Sequence, residues 1–555
     1  MTALSFNEAI KNAKLHARQG NVEEVHALLN KVLVSFAEGT GAHLDTVEKH
    51  RYRPDQENPE LPQAVNSELV GLYNNEQFFE VLERAEDYLS SYQGSYILWN
   101  IIGAAAGRLN QFEKAIIAFR KMIDLVPESP QAYCNLGNAL IDNQMARDAV
   151  QPLKKALALL PNYPEAHYIL GNAYHALGDI EEAIENYDRS LELDPKLYKA
   201  HHNKGSSLSH KGETEDAIGA FKAALTLKPN SAETHHLLSC VLMKSGRLEE
   251  GLEEYEWRWE MPNSVSDYRN FSQPAWDGIT SLQNKSILIW AEQGIGDTIN
   301  WSSFLPLIES QSKRCILECS AKLVPLLSRS FPGIEVRPED RSHDADRDDF
   351  DLHLPMGSLY RQLLPVITEE TQSTAFLTPD FERVNYWKER LRSLGDGPYI
   401  GIGWKSAKMS PDRANNYAPL AEWSPLFALP NVTFVNLQYK DFENDLKMIK
   451  DEFNVTVHNF EDLDLFNDLD EVAALSQALD IVVTPKIAVT YTSAAVGTDT
   501  ILVNWRQSDW SHALSNPAGP SVTIFERNTW EPWKPIFQTI SNKLGQILHN
   551  TNARQ

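Results

Sequence analysis

Residues 164–197 read PEAHYILGNAYHALGDIEEAIENYDRSLELDPKL, and residues 198–231 read YKAHHNKGSSLSHKGETEDAIGAFKAALTLKPNS. Laid over one another they agree at the positions that decide packing. The same 34-residue register runs without a gap through 62–95, 96–129, 130–163, 164–197, 198–231 and 232–265. Position 8 is Leu69, Gly103, Gly137, Gly171, Gly205 and Ser239, and position 20 is Val81, Ala115, Ala149, Ala183, Ala217 and Gly251. Position 24 is Ala85, Phe119, Leu153, Tyr187, Phe221 and Tyr255. Small residues at positions 8 and 20 let two helices approach closely, and the bulky position 24 is expected to fill the gap to the next repeat. Pro127, Pro161, Pro195 and Pro229 at position 32 stop the second helix.

This pattern resembles the tetratricopeptide repeat, most specifically over 96–231. That geometry implies a concave groove lined by the first helix of each pair. Positions facing it include Asn100, Asn138, Asn172, His175, His202 and His236. Asparagine side chains can hold a peptide backbone through paired donor and acceptor atoms. Asn100, Asn138, Asn172, His202 and His236 are therefore candidate acceptor-binding residues, a merely solvated polar face being the plainer alternative. The pairs His201/His202 and His235/His236 do not make a metal site, because adjacent helical residues do not face one another. Residues 6–39 read as one further helix pair turning at Gly20, and 40–61 as a polar, proline-bearing connection.

After residue 265 the texture changes. Trp257, Trp259 and Trp276 crowd the stretches YEWRW and QPAWDG, which read as a packed junction with the next domain. Apolar runs at Ser286–Trp290, Cys315–Cys319, Tyr399–Trp404, Val432–Leu437, Ile481–Val483 and Thr500–Asn504 read as strands. Helical stretches alternate with them, as in parallel sheets wrapped by helices. They form two such units, divided near the turn Gly395–Pro398. The polar runs 338–351 and 461–471 read as solvated loops, the second leading into a capped helix. Two Rossmann-like domains facing one another leave a cleft at the carboxyl ends of their strands.

The glycine loop QGIGD, 293–297, lacks the GxGxxG spacing and the Lys-Ser/Thr of a phosphate loop. No GxSxG, HExxH or kinase set occurs. The loops left after the strands carry Asp297, Lys405, Ser406, Gln438, Thr484 and Lys486. A carboxylate facing a cation and a helix N-terminus suits transfer from an anionic, diphosphate-activated donor.

Six stretches recur in order: WAEQGIGDTIN, ILECSAKLVPLLSRSFPG, FDLHLPMGSL, IGIGWKS, FVNLQY and ALDIVVT. They resemble bacterial tetratricopeptide proteins with a C-terminal domain similar to heptosyltransferases, and more distantly the repeat-bearing O-GlcNAc transferases. The resemblance implies an all-α repeat superhelix followed by an α/β GT-B glycosyltransferase. It implies a nucleotide-sugar donor as substrate, no cofactor and no catalytic metal. Some relatives glycosylate flagellin, which makes flagellin the acceptor it suggests. Residue by residue, it implies Asp297 as the base, Lys405 with Ser406 at the donor diphosphate, and Gln438 with Tyr439 near the nucleoside. In VTPKIAVTYTSAAVG, 483–497, the expected Asp, Thr and His are replaced by Lys486, Ile487 and Tyr491. Thr484, Lys486 and Thr490 are the donor-site candidates of that loop. An aspartate after a glycine loop can also be a helix cap.

The expected domains are 1–61, 62–265, 266–395 and 396–555. The 555 residues carry 51 Lys+Arg against 76 Asp+Glu, a net charge of −25, which disfavours broad nucleic-acid binding and anionic membranes. No run of about 20 apolar residues or secretory signal occurs. The cysteines Cys134, Cys240, Cys315 and Cys319 lack ligand spacing. Cys315 and Cys319 stand roughly 13 Å apart along one strand, too far for a disulfide. These features predict structural thiols in a reducing cytoplasm. The reading is a cytoplasmic protein glycosyltransferase whose repeats hold a protein acceptor. The alternative is a non-catalytic scaffold with a degenerate transferase domain.

Overall fold

A computed structural model describes residues 61–261, 268–342, 344–367, 375–407, 416–505, 522–527 and 531–552. The expected helix pair at 6–39, its connection at 40–61 except Leu61, and Asn263 lie outside the described residues. These residues fall into two compact units, divided between Pro229 and Asn230.

Among the described residues, the first unit contains ten helices, from Gln63–Asn74 to Thr214–Leu227, paired as antiparallel hairpins. Position 24 packs onto position 8 of its own repeat. A Cβ on Gly103, Gly137, Gly171 or Gly205 would come within 2.4–2.8 Å of Phe119, Leu153, Tyr187 or Phe221. The bulky residue thus seals its own hairpin, and Tyr187 also reaches Asn203 and Ser207 of the next repeat, as expected. In the first described repeat the sizes are exchanged, Leu69 against Ala85, both fully buried. Each second helix from the second described hairpin onward ends at Leu125, Leu159, Leu193 or Leu227. The extended residue that follows precedes proline, whose ring disfavours the helical conformation there. The turn between helices needs a left-handed residue once per repeat: Glu76, Asn110, Gln144, Gly178, Gly212 and, in the second unit, Gly246.

The second unit opens with helices Ala232–Lys244 and Leu248–Tyr255 and a 3-10 turn, Glu256–Glu260. Met243, Leu252 and Tyr255 share one apolar core with Ile287, Ile289 and Leu354 of the first sheet. Trp259 lies 5.6 Å from Trp290, and the Trp276 indole N–H donates to the Thr280 carbonyl at 2.8 Å.

Two sheets follow, both parallel throughout the described pairings. The first contains β1 (Ser286–Trp290), β2 (Arg314–Cys319), β3 (Glu335–Pro338) and β4 (Leu352–Pro355), in the order β3-β2-β1-β4. The second contains β5 (Tyr399–Ile402), β6 (Thr433–Asn436), β7 (Val457–His458), β8 (Ile481–Pro485), β9 (Asp499–Trp505) and β10 (Val522–Arg527). Its order is β10-β9-β8-β5-β6-β7. Counted from its own first strand, each sheet follows the doubly wound order 3-2-1-4, and the second continues 5-6. The α/β expectation is met. The six strands legible as apolar runs are the interior ones. The four that were not, β3, β4, β7 and β10, are the sheet edges.

The described residues of the run 338–351 are mostly exposed, as expected of a solvated loop, but the run also supplies charges to a buried cluster. Its Arg347 joins Arg269 and Arg337 around Glu318, which is 1% exposed. The three guanidinium groups donate to that carboxylate at 2.7, 2.6 and 2.8 Å. A carboxylate buried at a strand end must be paired, and this run supplies part of the pairing. Asp344 holds Arg269, and Asp349 binds both Arg337 and Arg347. The run 461–471 is likewise engaged. Asp462 pairs with Arg390, Asp470 with Arg329, and Asp468 caps helix Leu469–Ala478.

All four cysteines are free thiols, and burial pushes Cys134, Cys315 and Cys319 up to about 12. Those three stay protonated at neutral pH. Among the described residues, no helix is long and apolar enough to cross a membrane.

Candidate functional site

In a doubly wound sheet, the crevice opens beyond the carboxyl ends of the two strands where the winding reverses. Here those strands are β1 and β4 in one sheet and β5 and β8 in the other.

Beyond β1 the chain runs Ala291–Gly294 into helix Ile295–Ser302. Glu292, 6% exposed, accepts from Arg258 Nη2 at 2.8 Å, Arg258 Nε at 3.1 Å and the Gly357 N–H at 2.8 Å. Arg258 also donates to Ser358 Oγ at 2.8 Å and Glu256 at 2.9 Å. Burial pushes the Glu292 carboxyl above its ordinary range, and the charge of Arg258 opposes the rise. Gln293 has φ 62°, a left-handed conformation that costs a non-glycine residue about 1–2 kcal/mol. Its amide donates to the Tyr255 hydroxyl at 2.7 Å. Burial holds that phenol well above its usual range.

Asp297 is half-buried in the first turn of the helix, and its Oδ2 accepts from the Gly294 N–H at 3.1 Å. Gly294, not Asp297, is the N-cap; Asp297 sits at N3 and reaches back to the N-cap N–H, so the cap role expected as the alternative is filled only from inside the first turn.

In the second sheet, Gln438 is fully buried. Its Oε1 accepts from the Trp404 and Lys405 backbone N–H groups, both at 2.9 Å, and its amide nitrogen donates to the Lys405 carbonyl at 2.9 Å. It braces the loops after β5 and β6. Lys405 Nζ donates to Asp445 at 2.6 Å and the Asp441 carbonyl at 2.8 Å, while the Trp404 indole donates to the same Asp445 oxygen at 2.8 Å. Ser406 is half-buried, and the Tyr439 hydroxyl accepts from the Ala407 N–H at 3.4 Å. Beyond β8, Thr484 is buried and donates to the Pro485 carbonyl at 3.1 Å. Thr490 donates to that carbonyl at 2.6 Å and accepts from the Ile487 N–H at 3.3 Å, fixing the start of helix Ala488–Ala495. Lys486 is half-buried at the loop tip.

The two loops meet. A Cβ on Gly296 would lie 2.8 Å from the Tyr491 ring and 3.4 Å from the Ala488 Cα. Arg329 and Asp470 join the same two halves through a bidentate ion pair at 2.6 and 2.7 Å. Asp297 thus lies one residue from the contact with the loop that carries Lys486 and Thr490.

The repeat residues differ in exposure. Asn100 is 2% exposed and accepts from Asn135 at 3.0 Å, tying adjacent repeats together. His202 is 9% exposed beside Phe221. Both are buried rather than open to a groove, Asn100 by the neighbouring repeat and His202 against Phe221 of its own repeat. Asn172 is half-buried and accepts from Tyr187 at 2.8 Å and Asn203 at 2.7 Å. Asn138 is half-buried and donates to Asp142 at 3.0 Å. His236, in the second unit, lies 4.0 Å from Cys240 Sγ.

The sequence reading passed over Tyr255, Arg258, Glu292, Gln293 and Ser358. Its available signal was Arg258 between two tryptophans, a cation in an apolar setting that needs a buried carboxylate.

Comparison with known proteins supports the helical half. Family descriptions reading "TPR repeat" and "Tetratricopeptide repeat" match residues 147–178, 164–197 and 198–231. Residues 147–231 are tetratricopeptide repeats. The chain is 34% identical over 313 residues to Protein FlbA of Caulobacter vibrioides, covering 53% of this chain and 52% of FlbA. It therefore spans about half the length of that curated relative. Among solved structures it is similar to MamA, at 24% identity over 30% of this chain and 98% of MamA, with TM-score 0.27. It is also similar to PilW, a widely conserved type IV pilus biogenesis factor, at 18% identity over 37% of this chain and 99% of PilW, with TM-score 0.34.

Proposed function

We propose that this protein is a glycosyltransferase that moves a sugar from a nucleotide sugar to a protein hydroxyl. The observation that carries the reading is the contact between the helices that follow β1 and β8, at Gly296 and Tyr491. It supports a reading in which the carboxyl ends of the two doubly wound sheets share one crevice, with Asp297 on the acceptor side and Lys486, before a helix start, on the donor side. In this reaction Asp297 accepts the proton of the acceptor hydroxyl as its oxygen attacks the anomeric carbon. The bond from that carbon to the donor phosphate breaks, and the nucleoside diphosphate leaves with its electron pair. Attack opposite the leaving group inverts the anomeric centre. Lys486 and the N-terminus of helix Ala488–Ala495 favour the departing negative charge. The repeats hold the protein acceptor, with flagellin as the candidate suggested by resemblance, and the work is done in the cytoplasm. By this reading residues 62–265 form the acceptor-holding part, 266–395 the acceptor-side domain and 396–555 the donor domain.

A second reading is a non-catalytic scaffold. Lys405 favours it, because its ammonium is already held by Asp445 and Asp441. A thermal-shift screen of the full chain against nucleotides and nucleotide sugars separates the two. A ligand at 100 times its Kd stabilises the native state by about 2.7 kcal/mol. A rise with one nucleotide sugar, together with a glycan mass shift on a co-purified protein, supports the enzyme. No rise with any of them supports the scaffold.

A further inference from the structure

We propose that the last helical pair is a built-in brace for the Asp297 loop, with Tyr255 and Arg258 as its positioning residues. The role assigned to Asp297 rests on the glycosyltransferase reading, whereas the brace itself is a statement about the loop.

The loop between β1 and helix Ile295–Ser302 is held residue by residue. Glu292 takes two hydrogen bonds from Arg258, Gln293 gives one to Tyr255, and Gly294 gives one to Asp297. The first two restraints come from a single short segment, Tyr255–Arg258, at the end of the helical pair. Both reach the loop itself rather than the strand. Gln293 is the left-handed residue, and such a conformation persists where its surroundings over-determine it. Tyr255 holds that residue and Arg258 holds its neighbour.

The far side of the brace is equally fixed. Arg258 Nη2 reaches Ser358 Oγ at 2.8 Å, and Ser358 donates to Glu256 at 2.8 Å. Gly357 closes the arrangement, since a Cβ there would come 2.4 Å from Glu292 Oε1. Arg258 therefore ties the segment after β1 to the segment after β4.

Simple docking of a helix pair on a sheet would need only apolar contact, which Met243 and Leu252 already supply. A buried ion pair adds little net stability over apolar residues of the same volume. What the Arg258–Glu292 pair adds is a single position for the loop. Asp297, three residues past Gly294, inherits that position through its bond to the Gly294 N–H.

The test uses the full chain with Tyr255→Phe, which keeps the ring and removes the hydroxyl, and Arg258→Lys, which keeps a charge but loses the fork. Hydrogen exchange is read on the amides of 292–298 and compared with the rest of 230–555. Expected in Tyr255→Phe is exchange roughly three- to tenfold faster in that segment, the fold-change of one lost hydrogen bond, with the melting temperature lowered by no more than about 2–4 °C. Where wild type transfers sugar, kcat should fall by a similar factor while donor Kd holds. Exchange at 292–298 equal to wild type, or faster exchange spread through the whole unit, overturns the brace. Should Arg258→Lys fail to fold, Tyr255→Phe alone decides. A wild type that transfers no sugar removes the glycosyltransferase reading, and the exchange result still decides the brace.

Discussion

Gly296 of the first parallel-sheet domain lies against the ring of Tyr491 in the second, so close that a Cβ on Gly296 would stand 2.8 Å from the ring's Cδ2. The contact joins the starts of two helices, each following an interior strand. It needs a glycine on one side because the other side is aromatic. Gly296→Ala is expected to destabilise the protein by about 1–3 kcal/mol, the cost of overpacking. Tyr491→Ala in the same chain should recover most of that loss, since contacting residues couple. Urea unfolding of the two single variants and the double variant gives the coupling. Strict additivity would show that the glycine and the ring are independent.

The repeats make a second prediction whose sign differs between two helical glycines. Alanine in place of mid-helix glycine normally gains about 1 kcal/mol. Gly219 has nothing within 4 Å of its absent Cβ, so Gly219→Ala should stabilise. At Gly171 the Cβ would meet Tyr187 at 2.6 Å, so Gly171→Ala should destabilise despite its better propensity. Melting temperatures of the two variants moving in the same direction would contradict this.

Gln144 has φ 60° at the turn where later repeats place Gly178 and Gly212. Gln144→Gly removes a conformational cost of about 1–2 kcal/mol, offset in part by the larger entropy of glycine in the unfolded chain. A net gain of some tenths to about 1 kcal/mol is expected from chemical denaturation. A loss would mean that the Gln144 side chain supports the turn.

His353 should make the second unit acid-sensitive. Burial, reinforced by the charge of Arg269, lowers its imidazole to about 4. Its Nδ1 accepts from the Trp290 indole at 3.4 Å, which requires that nitrogen to be unprotonated. Below the unfolded value of about 6.5 the unfolded chain takes up a proton that the folded chain refuses, so stability falls as the pH drops from about 6.5 toward 4. The loss is of order 3 kcal/mol at pH 4. His353→Gln keeps an acceptor and cannot titrate, and should flatten this part of the stability curve. Equal slopes for the variant and wild type would place the acid sensitivity elsewhere.

Asp297→Asn tests the chemistry. Asparagine can still accept from the Gly294 N–H, so the cap and melting temperature should hold. Transfer should fall by about 10²–10⁴, the worth of a positioned base. Full turnover in a chemistry-limited assay would leave Asp297 as a cap alone.

The features legible in the chain were those in which contacting residues repeat or run together. Gly171 and Tyr187 sit in one 34-residue repeat, and the same pairing recurs in its neighbours, so register exposes it. Ser286–Trp290 and Ile481–Pro485 are interior strands flanked on both sides, and burial forces continuous apolar runs. The edge strand Glu335–Pro338 pairs on one side only and stays partly exposed, so its sequence EVRP carries no such run.

By itself, the sequence determined the helical repeats, the interior strands of both sheets and the glycine loop that ends in Asp297, because short-range periodicity and burial dictate those residue types. The tertiary structure alone decided that Asp297 reaches back to the N-cap N–H of its helix, that Gln438 is spent bracing two loops, and that Asn100 joins two repeats. It also decided the partners of the buried charges, Arg258 with Glu292 and Arg269 with Glu318. Those pairs lie 34 and 49 residues apart and follow no period. A buried charge demands a partner, but only the folded chain determines which of many candidates comes within reach.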